Sequence, residues 1–327
     1  MSELALALFA AETGSHLIEP PRGARWAAHL RGFDEQAYRR ALAERGYRFL
    51  QRSDEAFPAF LRSIHDPPPG LFLRGAGSPD LLSRTAVALV GARACSGYGA
   101  SVARSLGREL GAAGLVVVSG LARGIDAEAH RGALEAGGPA VGVLGCGIDR
   151  DYPAAHAELA RRVADAGLIV SEYAPGVEPA PWRFPARNRI VAGLSDAVVV
   201  VEARERSGAL ITADLALEEG REVFTVPGEI TSTLSAGTNA LLKLGASPLT
   251  TAADVLVFLG LEVAARSVGI EGVAASLLEL VRDRPSGADE LARRAGLDAG
   301  EVARALVELE LAGLVSVADG LYRAAVP

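Results

Sequence analysis

The chain has 327 residues, half of them apolar, and a formal net charge of −7 at pH 7. This composition excludes an intrinsically disordered chain, and the length predicts two or three compact units. Two cysteines are too few for a disulfide framework, and the sequence has neither a basic leader nor an apolar run of about 18 residues, so we expect a cytoplasmic protein without a membrane span.

The first 56 residues contain helical patterns and are predicted to form a short N-terminal helical region. From residue 85 onward, apolar segments alternate with helical patterns, and these segments span residues 85–91, 115–120, 140–145, 168–172, 197–203 and 222–228. Because the segments lack polar alternation, they predict strands that are buried on both faces. Their alternation with helices predicts an α/β fold with a doubly wound, mostly parallel sheet over residues 57–260.

The C-terminal part has a different pattern. Residues 261–272 are predicted to be a linker, and residues 273–327 show three helical patterns and a short ribbon, which together predict a winged-helix domain. Ser286 and Asp298 are predicted helix N-caps, each followed three residues later by an acid. The ribbon is predicted to be a hairpin that turns at Asp319-Gly320.

Glycine or arginine follows the predicted strands, in the loops 91–99, 119–126, 145–153, 173–188 and 204–209. Ligands of parallel sheets bind beyond the carboxyl ends of the strands, and free N–H groups at helix starts attract anions. The loops therefore predict one anion-binding edge. Taken singly, each loop also fits a plain tight turn, and Asp126 fits a helix cap. Because 32 of the 33 basic residues are arginine, position carries more weight here than residue type.

The long loop 173–188 combines arginines with Tyr173, Trp182 and Phe184. Cations for phosphates and rings for bases are the groups that hold single-stranded nucleic acid, although these rings could instead pin the loop to the sheet. The first loop does not match the dinucleotide pattern, and the sequence contains no Walker motif, no His/Cys cluster with metal spacing and no Ser-His-acid arrangement that can be placed. We expect no cofactor, no metal and no catalytic residue.

At these loops the sequence resembles the DprA/Smf family, the DNA-processing proteins of bacterial natural transformation. The resemblance covers roughly residues 57–250 and is carried by FPAFLRSIHDPPPGLFLRG, VGARACSGYG, VSGLARGIDAEAHRGAL, GVLGCGIDRDYP, SEYAPG, FPARNRIVAGLSDAVVVVEA, SGALITADLALEEGREVFTVPG and GTNALLKLGA. It implies an extended Rossmann-like domain that binds single-stranded DNA, protects incoming DNA, acts as a homodimer and helps load the RecA recombinase, with no catalytic reaction. Residues 273–325 resemble the family's optional winged-helix tail.

The matching motifs and loops indicate a DNA-binding set. Its members are Gly91, Ala92, Arg93, Ser119, Gly120, Arg123, Arg183, Phe184, Arg187, Asn188, Arg189, Ser207 and Gly208. Two departures stand out: Ala92 occupies a position where the family often has serine, and residues 1–50 lack the family's usual helix-hairpin module. In the segment 237–246, helical phase places Leu244 nearer to Leu241, which leaves Leu242 either as the candidate exposed dimer contact or packed under the following segment, residues 247–256.

Two other functions, nucleotide hydrolysis and transcription control, are alternatives to single-stranded DNA binding. A Rossmann-like nucleotide hydrolase of the lysine-decarboxylase-like type needs a glutamate after a glycine-rich turn, and the corresponding turn here, residues 207–210, has none. A transcription factor would read DNA with the helix in residues 299–310. That helix carries Glu301, Glu308 and Glu310 against the single Arg304, and its carboxylates would repel phosphates. We therefore expect a protein contact or a structural role for the tail.

Overall fold

The chain divides into two compact units, residues 1–260 and 261–327. The computed structural model describes residues 2–14, 19–261, 272–318 and 320–324. The predicted linker lies almost entirely outside the described residues.

In its described part, the first unit contains a nine-stranded sheet with the order β1-β2-β6-β5-β4-β3-β7-β8-β9. The strands are β1 (Tyr47–Gln51), β2 (Gly70–Arg74), β3 (Ala86–Val90), β4 (Val116–Ser119), β5 (Ala140–Val143), β6 (Leu168–Ser171), β7 (Ala197–Val200), β8 (Glu222–Thr225) and β9 (Ser247–Pro248). The strands from β3 to β9 run parallel, whereas β1 and β2 pair antiparallel. This confirms the mostly parallel sheet, in which β3 to β8 are the six predicted strands.

Helices cover both faces of this sheet. They are α1 (Glu3–Thr13), α2 (Ala24–Gly32), α3 (Glu35–Glu44), α4 (Ala59–Arg62), α5 (Gly97–Ala112), α6 (Ile125–Glu135), α7 (Ala157–Ala166), α8 (Arg183–Gly193), α9 (Gly208–Glu218), α10 (Ala236–Lys243) and α11 (Ala252–Phe258). On one face, α8 and α9 pack against Val198 and Val200 of β7. On the other face, α1, α6 and α7 pack against Phe72 and Ile169. Among the residues that the structure describes, no helix is both long enough and apolar enough to cross a membrane.

The first 56 residues are part of this unit. Strand β1 pairs with β2 along five residues, and Phe49 lies opposite Phe72 with ring centroids 4.7 Å apart. The boundary expected at residue 56 therefore does not divide the structure, because the pairing of β1 with β2 makes residues 47–51 an edge of the same sheet.

Strand β3 lies at a reversal of the strand order. From β3 the chain proceeds through β4, β5 and β6 on one side, and then returns to β7 on the other side. Connections that leave neighbouring strands in opposite directions open a crevice at the carboxyl ends of those strands. The loops after β3 and β7 border this crevice.

The second unit contains α12 (Gly272–Asp283), α13 (Ala288–Ala295), α14 (Ala299–Leu311) and the hairpin of β10 (Val315–Ala318) with β11 (Leu321–Ala324). This confirms the winged helix, although Asp319 at the turn lies outside the described residues. Asp298 caps α14, where its carboxylate accepts hydrogen bonds from the Gly300 and Glu301 amides at 2.8 and 3.0 Å.

The predicted N-cap at Ser286 is wrong. Helix α13 is capped by Gly287, and Ser286 is buried instead. Its backbone exchanges two hydrogen bonds with Tyr322 of β11, at 3.2 and 2.9 Å. The long-range pairing therefore overrides the local capping pattern.

Candidate nucleic-acid interface

A pocket of about 280 Å³ opens at the crevice between the loops after β3 and β7. Residues of the loops after β3, β4 and β7 line it, together with the first turns of α8 and α9. The structure brings nine of the residues in the predicted set to this lining: Gly91, Ala92, Arg93, Gly120, Phe184, Arg187, Asn188, Ser207 and Gly208.

The pocket carries positive charge within a chain that is acidic overall. Its lining contains Arg93, Arg187, Arg204 and Arg206 against one carboxylate, that of Asp126. Arg93, Arg204 and Arg206 are exposed, so their guanidinium groups are available to an anion from solvent. Arg204 and Arg206 were missed in the predicted set, although they lie in the loop 204–209, which was itself predicted to belong to the anion-binding edge.

Arg187, unlike these three exposed arginines, is buried, with 4% of its surface exposed. Its guanidinium donates to the Gly120 carbonyl at 2.9 Å and to the Val143 carbonyl, so it joins the carboxyl ends of β4 and β5. The Gly120 amide in turn donates to the Asp126 carboxylate at 3.1 Å. A Cβ at Gly120 would collide with the Arg187 guanidinium, which explains why glycine occupies this position.

Burial disfavours the charged forms of both ionisable groups in this network. It lowers the pKa of Arg187, although the nearby Asp126 opposes the change. It raises the pKa of Asp126, although Arg187 and the backbone amides of Ala122 and Gly120 oppose it. Each charge therefore partly compensates the other beneath the pocket.

The first turn of α5 is occupied by the chain's own carboxylate. Glu202, which follows β7 and is 4% exposed, accepts hydrogen bonds from the Ser96 amide at 2.9 Å and from the Ser96 hydroxyl. Its backbone carbonyl accepts a further bond from the Ala92 amide at 2.7 Å. The glycines beside it leave no room for a side chain, since a Cβ at Gly99 would collide with the Glu202 carboxylate. Glu202 thus fixes the loop that carries Arg93, and it takes the position where this fold could hold a phosphate.

The first turn of α9 is more open. Ser207 caps it, with its hydroxyl accepting from the Ala209 amide at 3.3 Å. The Asn188 side chain donates to the Gly208 carbonyl at 3.1 Å and so ties α8 to α9. Gly208 is exposed, and a Cβ there would meet nothing within 4 Å. Backbone at this turn can be approached closely by a ligand.

An aromatic contact flanks the arginines. The Arg93 guanidinium lies over the Phe184 ring, 5.5 Å from its centroid, and Tyr152 stacks on the same ring at 5.1 Å with an interplanar angle of 29°. The pocket therefore combines cations with ring surface, which are the two components of single-strand recognition.

Four residues of the predicted set do not line the pocket. Ser119 is buried and donates to the Leu89 carbonyl at 2.6 Å, so its hydroxyl is engaged in the sheet. Arg123 is exposed beyond the lining. Arg183 lies over Trp182, 4.9 Å from the ring centroid.

Arg189 is the fourth and differs most from expectation. It is buried and forms ion pairs with Glu172 at 2.6 Å and with Asp66 at 3.0 Å. Because its donors are engaged by these partners, Arg189 is a structural residue. Its place in the predicted set is not supported by this geometry.

A histidine of α6 and a cysteine of the loop after β5 are buried and do not line the pocket. His130 is fully buried, and desolvation lowers its pKa to about 4, so its ring is neutral at pH 7. Burial raises the pKa of the Cys146 thiol to about 11. Both are packing residues. Over the described ranges, no group of three or more His, Cys, Asp or Glu side chains is placed to hold a metal ion.

The candidate dimer contact also differs from expectation. Leu241 is buried as predicted, but Leu242 is half-buried and Leu244 is 85% exposed. The phase argument failed because α10 ends at Lys243, so Leu244 caps the helix and no longer follows its rotation.

Comparison with known proteins identifies the family of this chain. Residues 48–260 match the family model described as DNA recombination-mediator protein A, and residues 264–320 match the DprA winged helix domain. The protein belongs to the DprA family. The pocket lies wholly within the first of these two matches.

Relatives in this family are similar over most of the chain. The DNA processing protein DprA of Streptococcus pneumoniae is 46% identical over 207 residues, which are 62% of this chain and 71% of that protein. Protein Smf of Escherichia coli is 39% identical over 294 residues, which are 86% of this chain and 78% of that protein.

Solved structures of DprA proteins share the fold. The X-ray structure of DprA from Streptococcus pneumoniae has a TM-score of 0.67 at 37% identity and covers 80% of this chain and 93% of its own. A structure of DprA from Helicobacter pylori concerns that protein's single-stranded DNA binding mode. It has a TM-score of 0.58 at 32% identity and covers 65% of this chain and 95% of its own.

Proposed function

We propose that this protein binds single-stranded DNA in the pocket at the β3–β7 crevice, with little sequence preference. The observation that carries this proposal is the set of four arginines around the half-buried Phe184. Phosphates would contact the exposed arginines Arg93, Arg204 and Arg206, and the bases would meet the aromatic side. The DprA protein of Helicobacter pylori, which this chain resembles, has a single-stranded DNA binding mode, and this supports the proposal.

The charge of the pocket sets an expected salt dependence. Single-stranded DNA releases counterions with a slope of about −0.7 per neutralised phosphate. Three or four arginine contacts therefore give a slope of about −2 to −3 in log affinity against log salt. A pocket lined by exposed arginines fits a flexible strand, whose phosphates can contact the arginines while its bases turn toward the aromatic side chains.

In the cell, the protein would protect incoming single strands and help load the RecA recombinase during natural transformation, in the cytoplasm and without catalytic turnover. Family membership supports this role. The carboxylate in the pocket lining, Asp126, and the buried Glu202 beside the first loop do not favour hydrolysis, because both accept hydrogen bonds from the chain's own backbone. Neither is placed as a free general base.

The protein would act as a homodimer. Three exposed apolar side chains that lie shortly before and after β9 in the sequence support this. They are Leu244, Val257 and Phe258, which are 85%, 68% and 49% exposed. Exposed apolar surface of this kind often marks an interface. Light scattering tests the proposal, since a monomeric mass at micromolar concentration contradicts it. Leu244→Arg should dissociate the dimer, whereas Leu242→Arg, at a half-buried position, should act mainly on stability.

The deciding experiment for strand binding is fluorescence anisotropy with single-stranded and blunt duplex oligonucleotides of equal length, across a salt series. We expect tighter binding to the single strand and the slope given above. Equal or tighter binding to the duplex contradicts the proposal. A nucleotide-hydrolysis assay on the same preparation tests the rival enzyme, and turnover that disappears in Asp126→Asn would favour that rival.

A further inference from the structure

Tyr152 lies just outside the pocket, in the loop after β5. One face of its ring stacks on Phe184, which lines the pocket, and 42% of the residue is exposed. Within the described part of the chain, Phe184 is the one ring that stacks on Tyr152. Because one face is covered by Phe184 and 42% of the residue is exposed, the outer side of the Tyr152 ring is accessible to another planar group.

We propose that Tyr152 is a stacking platform for one base of single-stranded DNA, immediately outside the pocket. The inference rests on the proposed function and extends the site beyond the residues that line the pocket. The bound strand would place a phosphate at Arg93 and stack the neighbouring base on Tyr152.

Phe184, which belongs to the pocket lining, supports the inner face of the Tyr152 ring. The Arg93 guanidinium and the Tyr152 ring both cover Phe184, and a Cβ at Gly145 would lie 2.9 Å from its Cδ1 atom. Phe184 is half-buried between these groups. Its ring therefore adds aromatic surface inside the pocket and supports Tyr152 directly outside it.

The loop around Tyr152 is anchored and its acids are neutralised. Asp151 pairs with Arg74 at 2.6 Å, and Asp149 pairs with Arg45 at 3.4 Å. Arg150 pairs with Glu178 at 2.5 Å. Because both aspartates have cationic partners, a strand that approaches Tyr152 does not meet uncompensated negative charge.

A packing role for Tyr152 would also explain its contact with Phe184. The two roles differ in their dependence on the base. Stacking requires a base above the ring, whereas a packing role affects any strand equally through the shape of the pocket. Stacking also leaves the salt slope unchanged, because no phosphate contact is lost.

The test compares Tyr152→Ala with the wild type on two strands, an oligo(dT) and the same backbone with abasic sites. We expect Tyr152→Ala to weaken oligo(dT) binding about tenfold, as for the loss of one stacked base, at an unchanged salt slope. The deficit should disappear on the abasic strand. Tyr152→Phe should bind within about twofold of the wild type, because it keeps the ring.

Phe60→Ala is the matched control, since Phe60 is 45% exposed and lies in α4, outside the pocket lining. Its affinity should equal that of the wild type. If Tyr152→Ala unfolds at too low a temperature for the assay, Tyr152→Leu replaces it, because leucine keeps apolar bulk without a planar face. The same loss of oligo(dT) affinity is expected.

Unchanged oligo(dT) binding by folded Tyr152→Ala or Tyr152→Leu overturns the inference, as does an equal loss on the abasic strand. In both cases the wild type still binds, and the proposed function stands. A wild type that binds neither strand overturns the proposed function and the inference together.

Discussion

Replacing Glu202 with alanine should weaken DNA binding, although Glu202 does not line the pocket. Its carboxylate holds the Ser96 amide at 2.9 Å and the Ser96 hydroxyl, and these bonds fix the loop that carries Arg93. Two effects oppose each other in this variant. Removal of a negative charge beside the arginine-lined pocket favours the binding of DNA phosphates. Loss of the hydrogen bonds from Ser96 to Glu202, in contrast, disorders the loop that carries Arg93.

The magnitudes decide between the two effects. A hydrogen bond to a charged group contributes about 1.5–3 kcal/mol, and Glu202 accepts two from Ser96 in a buried position. The opposing electrostatic gain acts on an anion held by the exposed guanidinium groups of Arg93, Arg204 and Arg206, and exposed charge pairs contribute at most about 1 kcal/mol. The loss of the hydrogen bonds from Ser96 therefore outweighs the electrostatic gain. We expect the free energy of unfolding to fall by about 3 kcal/mol and the dissociation constant to rise about tenfold.

The assays are urea unfolding and anisotropy with an oligo(dT). Glu202→Gln, which keeps one acceptor oxygen, should lie between alanine and the wild type in both. Glu205→Ala is the control for charge alone, because Glu205 is exposed between Arg204 and Arg206 and should bind DNA slightly more tightly when neutralised. If Glu202→Ala also binds more tightly, charge governs the site and the anchoring argument fails.

Three further variants test the remaining assignments. Arg93→Ala should lose about 1–3 kcal/mol of binding and reduce the salt slope by about 0.7 while the fold persists, and unchanged affinity in the anisotropy titration would count against it. Arg189→Ala should instead lower the free energy of unfolding by about 3–5 kcal/mol, because it leaves the Glu172 carboxylate buried without its partner, and a wild-type thermal melt would refute that. Truncation after residue 261 should leave single-strand affinity within a few-fold, since the removed helix α14 exposes Glu301, Glu308 and Glu310, whereas a hundredfold loss would show that the tail contacts DNA.

The parts of the fold that follow local patterns were predictable. Strands β3 to β8 are runs of apolar residues, and buried strands have that pattern wherever they pair. Strands β1 and β2 were not predicted, because YRFLQ and GLFLR mix apolar and basic residues and their partners are set by distant pairing. The same limit explains Ser286, whose capping pattern is local and whose actual partner, Tyr322, is 36 residues away.

The site was predictable as a set of loops but not side chain by side chain. Carboxyl ends of parallel strands converge, so the Gly and Arg loops had to share one edge. Orientation was the missing information. Arg187 and Arg189 belong to one motif, yet residues two apart on a helix point in directions that differ by about 160°. Arg187 therefore faces the pocket and Arg189 faces Glu172.

The antiparallel edge of the sheet has a consequence for how the chain folds as it is made. Strands β1 and β2 can form their hairpin early, but β2 reaches its inner neighbour, β6, only after residues 168–171 have been synthesised. Until then the inner edge of β2 presents unpaired backbone groups, and such edges promote aggregation. Long-range pairing of this kind is also slow. Nascent chains halted between residues 74 and 168 would therefore be the species most in need of a chaperone.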